Sequence, residues 1–572
     1  MRRTKAIALL MAVILLLSLV LLSLVSCGDD DENTLVLYGW GDQDSLPVFN
    51  RIIENFNNTV GAENNIKVKF SAENVNYETL IEQSLSGKRG PDLFFVKDQY
   101  FKKWTKLGFL APLDNYLDGV DLDGMWDTAV SRYRYNVENN TSTDTATLWG
   151  LPLGNSPTVL FYNKTALEAA GVIVTSVPLE EITQEYVDAF NTQHGTSLSV
   201  QDLSRGFYRE NPYVNGSLAW TRPTGSEVMV FNNRIAMSWD EIEDLAGIMT
   251  KSASYNPASP TTYGYYTEWW FNYAFSVGGD CIEDTTGNGD YTFTLGDTNS
   301  NFLVLADTTV NGNAYTSGSF VSYNDKNYLA SAAGAAERAT LTEGRYLSVL
   351  PSTYEAFARF VNLSQTEARG GIQVSPTTTT VTGSGQQKTG FFANKQVAML
   401  VDYSYNTAAI RRLVGDTFEW DIAPLPVYKT YDDEGNVAAH GLERGHSSSS
   451  CIAISDKCTK KDKAALFIRY ISGEAGQTVI AESGFDIPNQ VSLFSRYASA
   501  VTTPKNNALF ASAAAVQTPG DWWYMPDKVW IDEWAVALNQ NVRNNGNMTL
   551  VQFITEYTPI ANRALDKYKS KP

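Results

Sequence analysis

The chain predicts an α/β fold on a parallel sheet, from three observations within its first hundred residues. Short apolar runs at Thr34–Tyr38, Ile66–Phe70 and Pro91–Val96 have the length and composition of buried strands. Two helical stripes separate them: Leu46, Phe49, Ile52, Ile53 and Phe56, then Tyr77, Leu80, Ile81 and Leu85. The resulting β-α-β-α-β order requires right-handed crossovers and therefore parallel neighbours.

Each element has its own local reason. Asp44 and Ser45 stand where a helix N-terminus needs a cap. Ile66 to Phe70 alternates apolar and charged residues, as a half-buried strand does. Gly87 stops the second helix, and Pro91-Asp92 opens the third strand. Open sheets of this kind bind ligands at the carboxyl ends of their strands. Those ends are Gly39–Asp42, Ser71–Asn74 and Lys97–Gln99. No G-x-G-x-x-G or phosphate-cradling Gly-Lys-Ser/Thr follows the first strand, and Trp40 in the turn would block a pyrophosphate, so nucleotide binding is not expected.

Ahead of the sheet, Met1-Arg2-Arg3-Thr4-Lys5 precedes an apolar run from Ala6 to Val25, the form of an export signal. Leu24-Val25-Ser26-Cys27 resembles a bacterial lipobox, which implies cleavage before Cys27, lipid on its thiol, and residues 27–33 as an acidic linker. An uncleaved anchor helix is the alternative, since ~20 apolar residues span a bilayer. No later segment approaches ~18 consecutive apolar residues. The net charge of −19 disfavours nucleic acid and anionic lipid surfaces as partners. Of four cysteines, Cys281, Cys451 and Cys458 remain after Cys27 is committed to lipid. Cys451 and Cys458 flank a strand-like run whose ends stand ~20 Å apart, so they pair only if the chain turns back at Ser455-Asp456.

Ordered landmarks extend the reading along the chain. Gly90-Pro91-Asp92, Trp104 through Gly108-Phe109-Leu110, and Trp149-Gly150-Leu151-Pro152 come first. Val159 to Lys164, Ser238-Trp239-Asp240-Glu241 and Tyr263-Gly264-Tyr265 follow. Phe392 to Met399, Trp420 to Pro426, and Ala464 to Tyr470 with Gly484 and Pro488 complete the series. Together with the leader they resemble the bacterial extracellular solute-binding proteins, and among them the sugar-binding family that includes maltose-binding protein. That resemblance implies a two-lobed periplasmic-binding-protein-like fold of type II, with a hinged cleft between discontinuous α/β lobes. Lobe one is expected at 34–154 and 427–471, and lobe two at 155–426 and 472–572. Segments of about 172–237 and 298–387 exceed the family's usual connections, and their Thr, Ser, Asn and Gly content suggests surface elaborations.

A sugar presents hydroxyl edges and apolar faces, so its site needs aromatic platforms beside carboxylates and amides. Lobe one offers Trp40, Asp42, Glu73, Asp98 and Gln99 at its strand ends. Asn155 and Ser156 align with a sugar-contacting pair of the family, although Ser156 replaces the acidic member. Lobe two offers Trp269 and Trp270, of which either can face the cleft, and Asp402 and Tyr405 in place of the family's stacking-Trp loop. Arg444 lies where the chain re-enters the cleft. Trp522-Trp523-Tyr524 suits core packing better than a roof over the site.

Other chemistries find less support. His440, Glu443 and His446 lie among glycines that break any common helix, and no His-Glu-x-x-His occurs, so no metal is expected. Asp284 to Asp290 suggests a calcium loop, but its twelfth position is Leu295, and Asn288-Gly289 before Tyr291-Thr292-Phe293 signals a hairpin. No Gly-x-Ser-x-Gly is present. The resemblance thus implies a monomeric, lipid-anchored, non-enzymatic receptor that needs no cofactor and passes a carbohydrate to an ABC importer. A receptor for another solute, or an exported carbohydrate-active enzyme, is the alternative.

Overall fold

A computed structural model describes residues 32–87, 90–212, 225–252, 256–365, 372–377, 385–544 and 546–569. The leader and Cys27 lie outside them. Among the described residues no helix is long and apolar enough to cross a membrane.

The first sheet runs in the order Lys67–Ala72, Thr34–Gly39, Leu93–Lys97, Ser450–Ile454, Leu151–Pro152. Its first three strands are parallel, as the crossover order requires, and the last two join antiparallel. Helix Leu46–Asn58 carries Pro47 in its first turn and buries Val48, Phe49, Ile52, Ile53 and Phe56. Each such side chain contributes ~1.5–3 kcal/mol by leaving water. At Gly39 a Cβ would stand 2.5 Å from the Phe95 ring, so only glycine lets the chain leave the strand toward Trp40.

The second sheet runs in the order Trp420–Ala423, Ser156–Asn163, Val397–Tyr403, Tyr263–Tyr266. Ser156–Asn163 is buried along its whole length. Val397–Tyr403 and Tyr263–Tyr266 are parallel, so their carboxyl ends, Tyr403 and Tyr266, reach the same edge. Helix Trp239–Met249 backs the sheet and opens with a reciprocal Ser238–Glu241 cap.

Three crossings join the sheets side by side. Ser447 and Ser448 pair with Pro157 and Ser156, and Asn155 N donates to Ile487 O at 3.3 Å. A shared apolar cluster brings Trp126 and Ala129 against Phe161, Leu400, Ile487 and Phe510. Near these crossings, hairpin Lys429–Tyr431/Val437–His440 packs on the second sheet's helix through Tyr431 Oη and Glu241, 2.7 Å apart. Helix Glu474–Ser483 packs on helix Leu46–Asn58 of the first.

Several expectations are corrected or settled. The long segments do more than decorate the surface. The earlier one builds a three-stranded sheet, Ile173–Thr175, Phe207–Arg209 and Met229–Asn232, over a core of Ile182, Val187, Phe190 and Leu203. The later one pairs Asn301–Val304 with Leu347–Leu350 around Phe302, Val304, Val310 and Leu329. Cys281, Cys451 and Cys458 are buried free thiols, and Ser450–Ile454 stays extended, which keeps Cys451 and Cys458 apart. The 284–290 segment is the turn of hairpin Ile282–Asp284/Tyr291–Phe293, with Asp284 accepting from the backbone of Gly287 and Gly289.

Candidate functional site

The carboxyl edge of the second sheet gathers aromatic rings from four separate segments. Trp269 follows Tyr263–Tyr266 and stands 5.0 Å from Trp522 and 5.8 Å from Phe271, nearly parallel to the latter. Tyr403 ends its strand, and Tyr405 stacks on it at 5.1 Å with the planes 14° apart. His446, from the second crossing, sits inside this group at 4.8 Å from Phe271, 5.2 Å from Tyr403 and 5.6 Å from Trp522. Its Nε2 lies 2.8 Å from Tyr403 Oη. Burial, with Lys388 and Arg132 nearby, holds the imidazole well below its usual pKa, so it is neutral. Trp269 and Tyr405 are only half-buried and leave ring surface open.

A charge group fixes the tyrosine pair from behind. Lys388 Nζ donates to Glu268 Oε2, lies 3.8 Å from Asp402 Oδ1, and sits 5.6 Å from the centre of the Tyr403 ring. Burial pulls the Lys388 ammonium down, but Glu268 and Asp402 carry it well above the usual lysine value. Asn406 Nδ2 also donates to Asp402 Oδ1, at 2.9 Å. Burial raises the Asp402 carboxyl against the pull of Lys388.

Elements beside the first sheet meet the segment that follows Trp522. Lys102, only 2% exposed, rests 3.9 Å from the centre of the Trp523 ring and donates to Tyr524 O. Trp523 Nε1 donates to Arg132 O at 3.1 Å. Farther along the contact, Arg412 grips Asp44 with two nitrogens, at 3.2 and 2.9 Å.

The expected site residues divide. Trp269 and Tyr405 belong to the ring group. Trp270 stands behind it: only 2% exposed, it meets Trp269 and Phe271 edge-on at 5.4 and 4.9 Å and packs on Phe357, Phe360 and Trp534. Asp402 lies under the rings, its Oδ1 accepting from Asn406 and lying 3.8 Å from Lys388 Nζ. Asp98, expected in the cleft, is 5% exposed and paired with Arg132 at 3.0 Å. Burial raises its carboxyl even against Arg132. Asn155 is fully buried and donates to Thr128 Oγ1 and Ala514 O, which ties the crossing down. Asp42 is exposed but accepts from Ser45 N and Oγ in its own turn. Glu73 accepts from Val75 N. Trp40 packs edge-on against Tyr77 and Phe95 with one side still open, and Lys97 Nζ lies 5.4 Å from its centre. Gln99 is half-buried at the head of helix Asp98–Lys106. Ser156 donates to Asp486 Oδ2 at 2.6 Å. Arg444 turns onto Phe320 at 5.2 Å and lines a separate cavity of about 380 Å³ with Glu443, Thr158 and Gln517.

Sequence reading missed His446, Lys388, Glu268 and Asp486 as site neighbours. Only Glu268 carried a signal, its place beside Trp269. Trp522, expected in the core, is indeed 9% exposed, yet it forms one wall of the ring group.

Residues 43–204 match the family model described as bacterial extracellular solute-binding protein. Comparison with the curated proteins finds no match. Among solved structures, the chain is similar to the ABC substrate-binding protein Lmo0181 from Listeria monocytogenes in complex with cycloalternan, at 14% identity and a TM-score of 0.56, covering 93% of this chain and 99% of that one. It is similar to the GacH receptor of Streptomyces glaucescens, solved unliganded and with acarbose, at 14% identity and a TM-score of 0.56, covering 94% and 99%. It is also similar to the Thermus thermophilus maltotriose binding protein bound with maltotriose, at 12% identity and a TM-score of 0.51, covering 93% and 100%. The family match at residues 43–204 and the likeness to these structures over nearly the whole chain show that it has the two-lobed type II fold of such substrate-binding proteins.

Proposed function

We propose that the mature chain is a lipid-anchored receptor that holds an uncharged carbohydrate between its lobes and delivers it to an ABC importer. The observation that carries the reading is the ring group of Trp269, Phe271, Tyr403, Tyr405 and Trp522 at the second sheet's carboxyl edge, against the first lobe. Flat rings match the apolar faces of a sugar, and the carboxylates beside them match its hydroxyls. Glu268, Asp402 and Asp486 outnumber Lys388 there, which disfavours an anionic solute. The ligands named for the similar structures, cycloalternan, acarbose and maltotriose, are all carbohydrates or carbohydrate mimics.

Ligand contacts shared by two lobes exist only in the closed form, so the ligand shifts the open–closed equilibrium by its differential affinity. Lipid on Cys27 would hold this receptor near the importer and raise its effective concentration. The sequence placed lobe-one segments at 34–154 and 427–471. The contacts of hairpin 429–440 and of helix Glu474–Ser483 favour moving the later segment toward roughly 447–486.

The test is a titration of the mature protein with cycloalternan, acarbose and maltotriose, following tryptophan fluorescence while assaying for product. Saturable change without new sugar is expected. Turnover of any of them would mean an enzyme.

A further inference from the structure

Where the three crossings meet, one acidic side chain comes from a distant part of the chain. Asp486, on the third crossing, accepts from Ser156 Oγ of the first at 2.6 Å through Oδ2. Its Oδ1 accepts from Ser404 Oγ at 3.2 Å, in the loop that carries Tyr405, and from Ile487 N at 2.8 Å. Gly154 permits this approach, because a Cβ there would stand 3.2 Å from Asp486 Oδ2 and 3.0 Å from Ile487 O. The carboxylate is half-buried, and no cation of the described residues pairs with it.

Such a group is an expensive choice for a hinge. A carboxylate taken from water without a cation is disfavoured, whereas a neutral amide would accept from the same serines. A carboxylate has room for about four hydrogen bonds, and three are filled. It retains acceptor capacity beside Tyr405, whose hydroxyl feels its charge.

We infer that Asp486 is a specificity-determining residue of the cleft, accepting a hydrogen bond from a hydroxyl of the uncharged carbohydrate held against Tyr405. The inference rests on the carbohydrate reading above. It adds that the ligand presents a donor at the crossing, and that an anionic group at this position is rejected.

Burial pushes the Asp486 carboxyl up to about 6. Above that value the residue is a charged acceptor; below it the proton occupies the acceptor oxygen. Affinity for a neutral sugar therefore falls as pH drops through about 6. The other titratable groups around it are accounted for. Tyr405 and Tyr497 are raised by burial and stay protonated. Arg411 lies toward Gly484 O, at 3.5 Å. Glu268 and Asp402 share Lys388, His446 is neutral, and Asp98 of the first lobe is paired with Arg132.

The test measures affinity for whichever of maltotriose, acarbose or cycloalternan binds wild type, between about pH 7.5 and about pH 5. Wild type should lose about tenfold across that range. Asp486→Asn should bind about tenfold more weakly at the upper end and show a flat profile. Ser156→Ala, which keeps the carboxylate, should keep the slope. Wild type alone supplies a second readout that needs no variant to fold: a uronic-acid form of the same sugar should gain affinity as pH falls, opposite to its neutral parent. A slope that survives in Asp486→Asn, or parallel trends for neutral and anionic sugars, overturns this inference alone. Failure of every sugar to bind wild type overturns the carbohydrate reading and this inference with it.

Discussion

At the strand ends of the first lobe, Asp42, Glu73 and Asp98 hydrogen-bond within their own lobe: to Ser45, to Val75, and to Arg132. At the strand ends of the second, Trp269 and Tyr405 stack on neighbours and still leave ring surface open. Both regions occupy the position where sheets of this kind bind ligands, yet their side chains are committed differently. Polar residues at a strand end are readily consumed by the turn that follows, since caps and Asx turns need them. A half-buried ring has no such local use, so its free face is the better marker of a site.

The comparison is sharpest at two neighbouring tryptophans. Trp270→Ala should remove about 3–5 kcal/mol of stability, seen as a lower denaturation midpoint, because its ring is packed between Phe357, Phe360 and Trp534. Next in size, Asp98→Asn leaves the Arg132 guanidinium buried without its partner and should cost about 3 kcal/mol of stability, with ligand affinity unchanged. Trp269→Ala should do the reverse, weakening ligand binding by about 2 kcal/mol, or roughly thirtyfold, while the midpoint barely moves. Tyr405→Ala should follow it with about a tenfold loss. Smallest is Arg412→Ala, which cuts the partly exposed pair with Asp44 between the lobes. Its effect on affinity should stay below about 1 kcal/mol and vanish in high salt, as calorimetric titration at two ionic strengths would show.

How much of this was legible in the sequence follows from the range of each signal. The parallel order of the first three strands was readable because hydrophobic periodicity is local, and the buried face of Leu46–Asn58 is the one its spacing predicts. The split between Trp269 and Trp270 was not, because adjacent positions differ only by which side the distant Trp534 occupies. His446 looked like one member of a weak metal pattern; its box is closed by Phe271, Tyr403 and Trp522, none of them near it in sequence. Asp486 bonds Ser156 across 330 positions, a separation at which composition carries no information. The long segments misled for another reason: short hairpins rich in Thr, Ser and Asn resemble loops until Phe302, Val304 and Val310 are seen to close over one core.

On the proposed function, the second lobe's rings hold a carbohydrate while the first lobe's acids hold the fold. Calorimetric titration of cycloalternan, acarbose and maltotriose against wild type, Trp269→Ala and Asp98→Asn tests it most directly. At least one sugar should saturate the wild type without being hydrolysed, bind Trp269→Ala at least about tenfold more weakly, and bind Asp98→Asn with undiminished affinity. Equal binding by wild type and Trp269→Ala, or a loss confined to Asp98→Asn, would contradict it.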